Sequence, residues 1–176
     1  MTQSQSNRVA LLLLLSVVST LLLYFLIPYG RLIAYPLVLL STLAHELGHG
    51  IAAVLVGGDF ERFIMHDNGA GVAMTRSSNG LQRAVILAGG LVGPAVVAAL
   101  GFRFGRHQET AKRTLMITGI LLLIICFAVV RNLFGFFFCS ATAGLCILLA
   151  RRASPAICQF ATLFVSTQLA LSVFSR

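Results

Sequence analysis

Acidic residues are scarce in this 176-residue chain: there are five, and none follows Glu109. Charged residues of both signs make up only 10% of the sequence, and Trp is absent. A water-soluble domain carries about a quarter charged residues, so a soluble fold is excluded. Four cysteines, Cys126, Cys139, Cys146 and Cys158, stand inside apolar runs without a Cys-x-x-Cys pair. That placement suits small packing residues better than a metal or disulfide framework. No convincing internal repeat is present.

What the chain has in quantity is apolar sequence, with 58% hydrophobic residues. Apolar runs cover residues 9–29, 32–57, 83–101, 114–130, 132–150 and 156–174. A helix crosses a bilayer with about 20 such residues. The expected fold is therefore an all-α polytopic membrane protein. Five or six transmembrane helices form a single domain over residues 1–176, behind a polar tail at residues 1–8. The first run exceeds a typical signal core and no small-x-small cleavage site follows it, so it reads as a retained span. The net charge is +8, but Lys and Arg stand singly at the ends of apolar runs. This placement fits topology signals and lipid headgroups, and nucleic acid is not expected as a partner. If every run crosses once, seven basic residues face six across the membrane and orientation stays open.

Residues 58–80, "GDFERFIMHDNGAGVAMTRSSNG", break the pattern and hold three of the five acids. Phe60–His66 and Val72–Arg76 are short β-compatible runs, and "DNGAG" between them supplies turn residues. A small membrane-edge β-hairpin, or re-entrant segment, is expected here.

The second apolar run contains "STLAHELGHGIAAVLVGGD". Burying His45, Glu46 and His49 in such a setting is unfavourable unless something offsets it. On a helix, four residues advance about 6 Å and turn slightly more than once, so both imidazoles leave one face and can grip one metal ion. Neutral imidazole is a good zinc ligand. Glu46, beside the first ligand, can act as general base on a zinc-bound water. This is the spacing of zinc metalloproteases. The bland alternative is a polar seam between helices, although ionisable residues within a span are usually functional. Cleavage so deep requires a protein-lined water path and an unwound substrate, which a hairpin edge could receive by strand addition. An ordinary surface loop is the other reading of that hairpin.

"HELGHGIAAVLVGG", the hairpin-like segment, "LAGGLVGPAV" and "RNLFG" together resemble the site-2 protease family of intramembrane zinc metallopeptidases, most of all its compact bacterial and plant-type branch. The resemblance covers roughly residues 35–150 and rests chiefly on the His-Glu-x-x-His placed within a span. It implies one catalytic zinc per chain, His45 and His49 as ligands, Glu46 as base, and a membrane-protein substrate in a lipid bilayer. The family completes its site with an aspartate from a later span, and this sequence has none there. Either a longer natural chain supplies that carboxylate or another group substitutes; His66, Asp67 and His107 could serve only by folding inward. Asn132 fits a hydrogen bond to the substrate backbone or oxyanion, or alternatively an interhelical contact. Gly89 and Gly93 permit close helix approach, with Pro94 able to kink the span; the other reading is a gap through which substrate nears the metal helix. The leading function is intramembrane zinc endoproteolysis. The competing ones are a non-catalytic metalloprotease-like scaffold and, third, a small transporter.

Overall fold

The computed structural model describes residues 3–173. Helix α1 (Gln3–Leu21) continues as a π-helical turn over Leu22–Leu26, and a short α2 (Gly30–Ile33) leads into α3 (Tyr35–Leu55). Strands β1 (Asp59–Met65) and β2 (Gly71–Arg76) follow, then α4 (Gly80–Phe104), α5 (Gln108–Val129), α6 (Leu133–Arg152) and α7 (Pro155–Ser172). Among the described residues, five helices, α3 to α7, are long and apolar enough to cross a membrane, and the shorter α1 is apolar as well. Their outward faces carry large exposed side chains such as Leu55, Leu87, Ile124 and Phe137, as lipid contact requires.

The polar residues expected as a tail extend α1 instead. Gln3 donates to Asn7 one turn on, and the Arg8 guanidinium donates to the Gln108 amide oxygen at the start of α5. Simple alternation of spans would put Arg8 opposite the basic stretch at 103–113, whereas the structure puts it alongside. Helix α1 runs parallel to α7, to which it is tied further along by Gln168 donating to Thr20.

The end of α3 is fixed by glycine chemistry. Gly57 takes φ +77°. The Gly58 N–H reaches the Ala53 carbonyl at 2.8 Å and the Gly57 N–H reaches Val54 at 3.2 Å. This is a Schellman closure, satisfying carbonyls that a helix end leaves free. It turns the chain back into the hairpin. Antiparallel pairing runs from Asp59 opposite Arg76 to Met65 opposite Gly71, with one irregularity at Phe60–Arg62.

The expected hairpin forms, as a two-stranded antiparallel sheet. It lies along α3: Phe60 packs on Gly50, the Thr42 hydroxyl donates to the Gly69 carbonyl at 2.8 Å, and the Tyr35 hydroxyl donates to the Asp67 carbonyl. From Gly50 back to Tyr35 is about 22 Å of helix. Its inner face, Phe63 and Met65, is fully buried among Leu39, Leu43 and Leu47 of α3, Cys126 of α5 with Val130 just after it, and Cys139 of α6. These four elements form the core.

Helices α3 and α4 run antiparallel in backbone contact. A Cβ on Gly48 would lie 2.2 Å from the Gly89 carbonyl oxygen, and one on Gly93 would lie 2.7 Å from the Ala44 carbonyl oxygen. The cap of α4 links back to α3: Asn79 accepts from the Gln82 N–H at 2.9 Å, and Gln82 Nε2 donates to the Val56 carbonyl at 2.8 Å.

Two glycine substitutions separate backbone strain from packing. Nothing lies within 4 Å of a Cβ on Gly57, so Gly57→Ala should lower stability by about 1–2 kcal/mol, the left-handed penalty alone. Gly48→Ala forces two backbones apart and should lower thermal stability in detergent well beyond that, together with yield of folded protein. Equal melting temperatures for the two variants would contradict the close α3–α4 contact.

Candidate metal centre

His45, Glu46 and His49 sit in the middle of α3, on a helix with Pro36 in its first turn. The four-residue spacing does what helical geometry requires. His45 Nε2 and His49 Nε2 are 3.2 Å apart, with the rings edge to face at 90°. Ligand atoms of all three residues lie within 4.8 Å of one another, and among the described residues this is the group able to hold a metal ion.

The geometry suits zinc. Two nitrogens bound at about 2.0–2.1 Å and a tetrahedral angle stand about 3.3–3.4 Å apart, close to the observed separation. The tautomer is set as well. His49 Nδ1 lies 2.7 Å from the Ile86 carbonyl, and a carbonyl only accepts, so Nδ1 carries the proton and Nε2 keeps its lone pair for a cation. Space for that ring exists because α4 has a glycine opposite: a Cβ on Gly90 would come within 2.2 Å of His49 Nε2. Sequence reading singled out Gly89 and Gly93 and passed over Gly90. A third consecutive small position in "AGGLVG" was the available signal.

Glu46 is buried at 8% exposure. Its Oε2 accepts the Ala73 N–H of β2 at 2.7 Å. Strand β2 can come this close because Gly71 has no side chain; a Cβ there would meet Thr42 Cγ2 at 2.7 Å and Glu46 Cγ at 2.8 Å. Gly71 and Ala73 were not anticipated as site residues, although "GAG" in the turn pointed toward close approach. The hairpin thus lies directly on the motif.

The other sequence candidates are placed elsewhere. Asn132, just before α6, pairs with the backbone of Met65: its Oδ1 accepts the Met65 N–H at 3.1 Å and its Nδ2 donates to the Met65 carbonyl at 2.6 Å. Since Met65 opposes Gly71 across the ladder, the two strands stand between Asn132 and Glu46. Gly89 and Gly93 belong to the α3–α4 contact. His66 and Asp67 are exposed at the hairpin turn and His107 precedes α5 at the far end of α4; the structure brings none of these three to the cluster.

A pair of imidazoles and a carboxylate on one turn of a buried helix, inside a bundle of membrane-crossing helices, is a site of the metallopeptidase class. Residues 9–176 match the family model described as Peptidase M50B-like. The chain belongs to this family, within the site-2 proteases, and is an integral multi-pass membrane protein. No curated protein and no solved structure matches it.

Asn132 offers a test of how the hairpin is held. Asn132→Asp keeps the acceptor for the Met65 N–H but turns a carboxylate oxygen toward the Met65 carbonyl, leaving that carbonyl without its donor. A stability loss of about 1–3 kcal/mol is expected, with faster proteolytic nicking in residues 66–70. Unchanged melting and nicking would contradict the pairing.

Proposed function

We propose that this protein is an intramembrane zinc endopeptidase acting on membrane-embedded or membrane-adjacent protein segments. The observation that carries the reading is the separation of the two Nε2 atoms, 3.2 Å, beside a buried carboxylate in a membrane-crossing helix. His45 and His49 hold the ion, one per chain. Zinc, when bound there, supplies a Lewis acid that makes water acidic near neutral pH.

The chain's own residues then account for the remaining steps. Glu46 takes the proton as the water oxygen bonds to the scissile carbonyl carbon, and returns it to the leaving amine nitrogen as the C–N bond breaks. The hairpin receives the substrate as an added strand. The edge N–H of Ala73, which occupies Glu46 in the free protein, passes to a substrate carbonyl, and the carboxylate is released for proton transfer by the same exchange. Asn132, Gly89 and Gly93 serve by positioning: the amide anchors β1, and the glycines set the distance between the motif and α4.

A non-catalytic scaffold is favoured by one observation, that among the described residues no third side chain outside the motif joins the cluster. Glu46→Gln separates the two readings. Metal analysis should find about one zinc per chain in the wild type and in Glu46→Gln. Zinc should be lost in His45→Ala and His49→Ala. Cleavage of a co-expressed single-span substrate should disappear in Glu46→Gln; persistence of cleavage, or absence of zinc from the wild type, refutes the assignment.

Ala73→Pro tests the exchange. Proline has no N–H to give, and because the Ala73 N–H points to Glu46 and not into the β1–β2 ladder, strand pairing is kept. We expect zinc content to be unchanged and kcat/KM for the membrane substrate to fall about tenfold or more, in line with one lost charge-assisted or strand hydrogen bond at the transition state. A wild-type rate would show that the Ala73 N–H plays no part.

A further inference from the structure

Pro94 stands inside α4 without ending it, and its side chain is fully buried. Proline has no N–H, so the carbonyl of Gly90, four residues earlier, lacks the donor that an α-helix normally supplies. Among the described residues, no turn or loop N–H donates to it either. Gly90 is itself buried. A carbonyl left open inside a membrane helix needs a partner from a neighbouring element.

The register of α3 against α4 points to that partner. His49 Nδ1 meets the Ile86 carbonyl at 2.7 Å. The two helices are antiparallel, with Gly48 against Gly89 and Ala44 against Gly93. Four residues back along α3 therefore correspond to four residues forward along α4, about 6 Å on each. The offset that joins His49 to Ile86 sets His45 beside Gly90. A second contact agrees with this placement: a Cβ on Gly90 would lie 2.2 Å from His49 Nε2, the atom that is 3.2 Å from His45 Nε2. His45 Nδ1 is buried, so the group to which it donates must belong to the protein.

We propose that Pro94 is a positioning residue for the metal centre: it withholds an N–H so that the Gly90 carbonyl accepts from His45 Nδ1–H. The inference rests on the metallopeptidase reading above. With Nδ1–H held, His45 Nε2 keeps its lone pair for the ion, as the Ile86 carbonyl arranges for His49. The two carbonyls differ in one respect. Ile86 has the Gly90 N–H as its helical donor and shares its carbonyl with the imidazole. Gly90 has no such donor, and its carbonyl is given to His45 alone. A bend in α4 is the other effect expected of a proline inside a helix, and the experiment separates the two.

The test measures the zinc affinity of the full chain in detergent, stripped of metal and titrated against a chromophoric chelator. Pro94→Ala restores an N–H that closes on the Gly90 carbonyl and takes it from His45. Zinc should bind about 10–100-fold more weakly, the usual effect of losing such a partner. A third form carries the α-hydroxy analogue of alanine at this position, introduced by nonsense suppression. It has the alanine side chain and no N–H, and it should keep the wild-type affinity. Equal affinity of the wild type and Pro94→Ala overturns the proposal. Equal weakening in Pro94→Ala and the ester form also overturns it, and assigns the effect to the lost ring and the bend of α4. Should neither variant fold, the zinc-loaded wild type decides the matter by solid-state NMR with isotope-labelled glycine carbonyls and histidine ring nitrogens. A glycine carbonyl carbon should lie about 4 Å from the protonated Nδ1 of His45, and absence of that contact overturns the pairing. Absence of zinc from the wild type is a separate result, which refutes the metallopeptidase reading and this inference with it.

Discussion

A two-stranded ribbon set among membrane helices has two open flanks, and each flank N–H and carbonyl must find a partner inside the protein. Much of the architecture follows from that demand. The flank of β1 is answered by the segment joining α5 to α6: the Arg131 N–H donates to the Phe63 carbonyl at 3.0 Å, and Asn132 presents a side-chain amide that pairs with Met65 as a neighbouring strand would. The flank of β2 is answered by α3, through Thr42 at the turn and Glu46 at Ala73. The carboxylate of the His-Glu-x-x-His motif is thus a structural acceptor in the fold.

Burial of the motif is reconciled at the same place. Glu46 exchanges hydration for a backbone N–H, and His49 exchanges it for the Ile86 carbonyl. Each partner satisfies one atom of its group, and His49 Nε2 stands 3.2 Å from His45 Nε2. The site is preorganised by its neighbours on α4 and β2 rather than by the motif itself, and that is the general requirement for a reactive group held within tight tolerances.

The sequence made the helices legible because lipid demands long apolar runs. The expected runs at 83–101 and 132–150 correspond to α4 (Gly80–Phe104) and α6 (Leu133–Arg152), with boundaries displaced where polar caps such as Asn79 extend a helix past its apolar part. The strands were legible from alternation and the "DNGAG" turn. The depth of the hairpin was not, since it depends on Phe60 meeting Gly50 and Tyr35 meeting Asp67, contacts between positions with no periodic relation. Asn132 shows the same limit. Its chemistry was readable as a hydrogen-bonding amide, but its partner lies 67 residues away and only the fold names it. Gly90 was hidden for a different reason: three glycines within five residues look alike until a ring stands against one of them.

The contact between α3 and α4 carries a mechanical consequence. Where two main chains touch at Gly48, Gly89 and Gly93 there is no slack, and a slide of one residue would drive a methyl of Ala44 or Ala52 into the opposing chain. That side of the motif is therefore rigid masonry. On the opposite side β1 is locked into the core, while the β2 flank meets α3 through the Thr42 and Glu46 hydrogen bonds. What freedom there is around His45 and His49 belongs to β2.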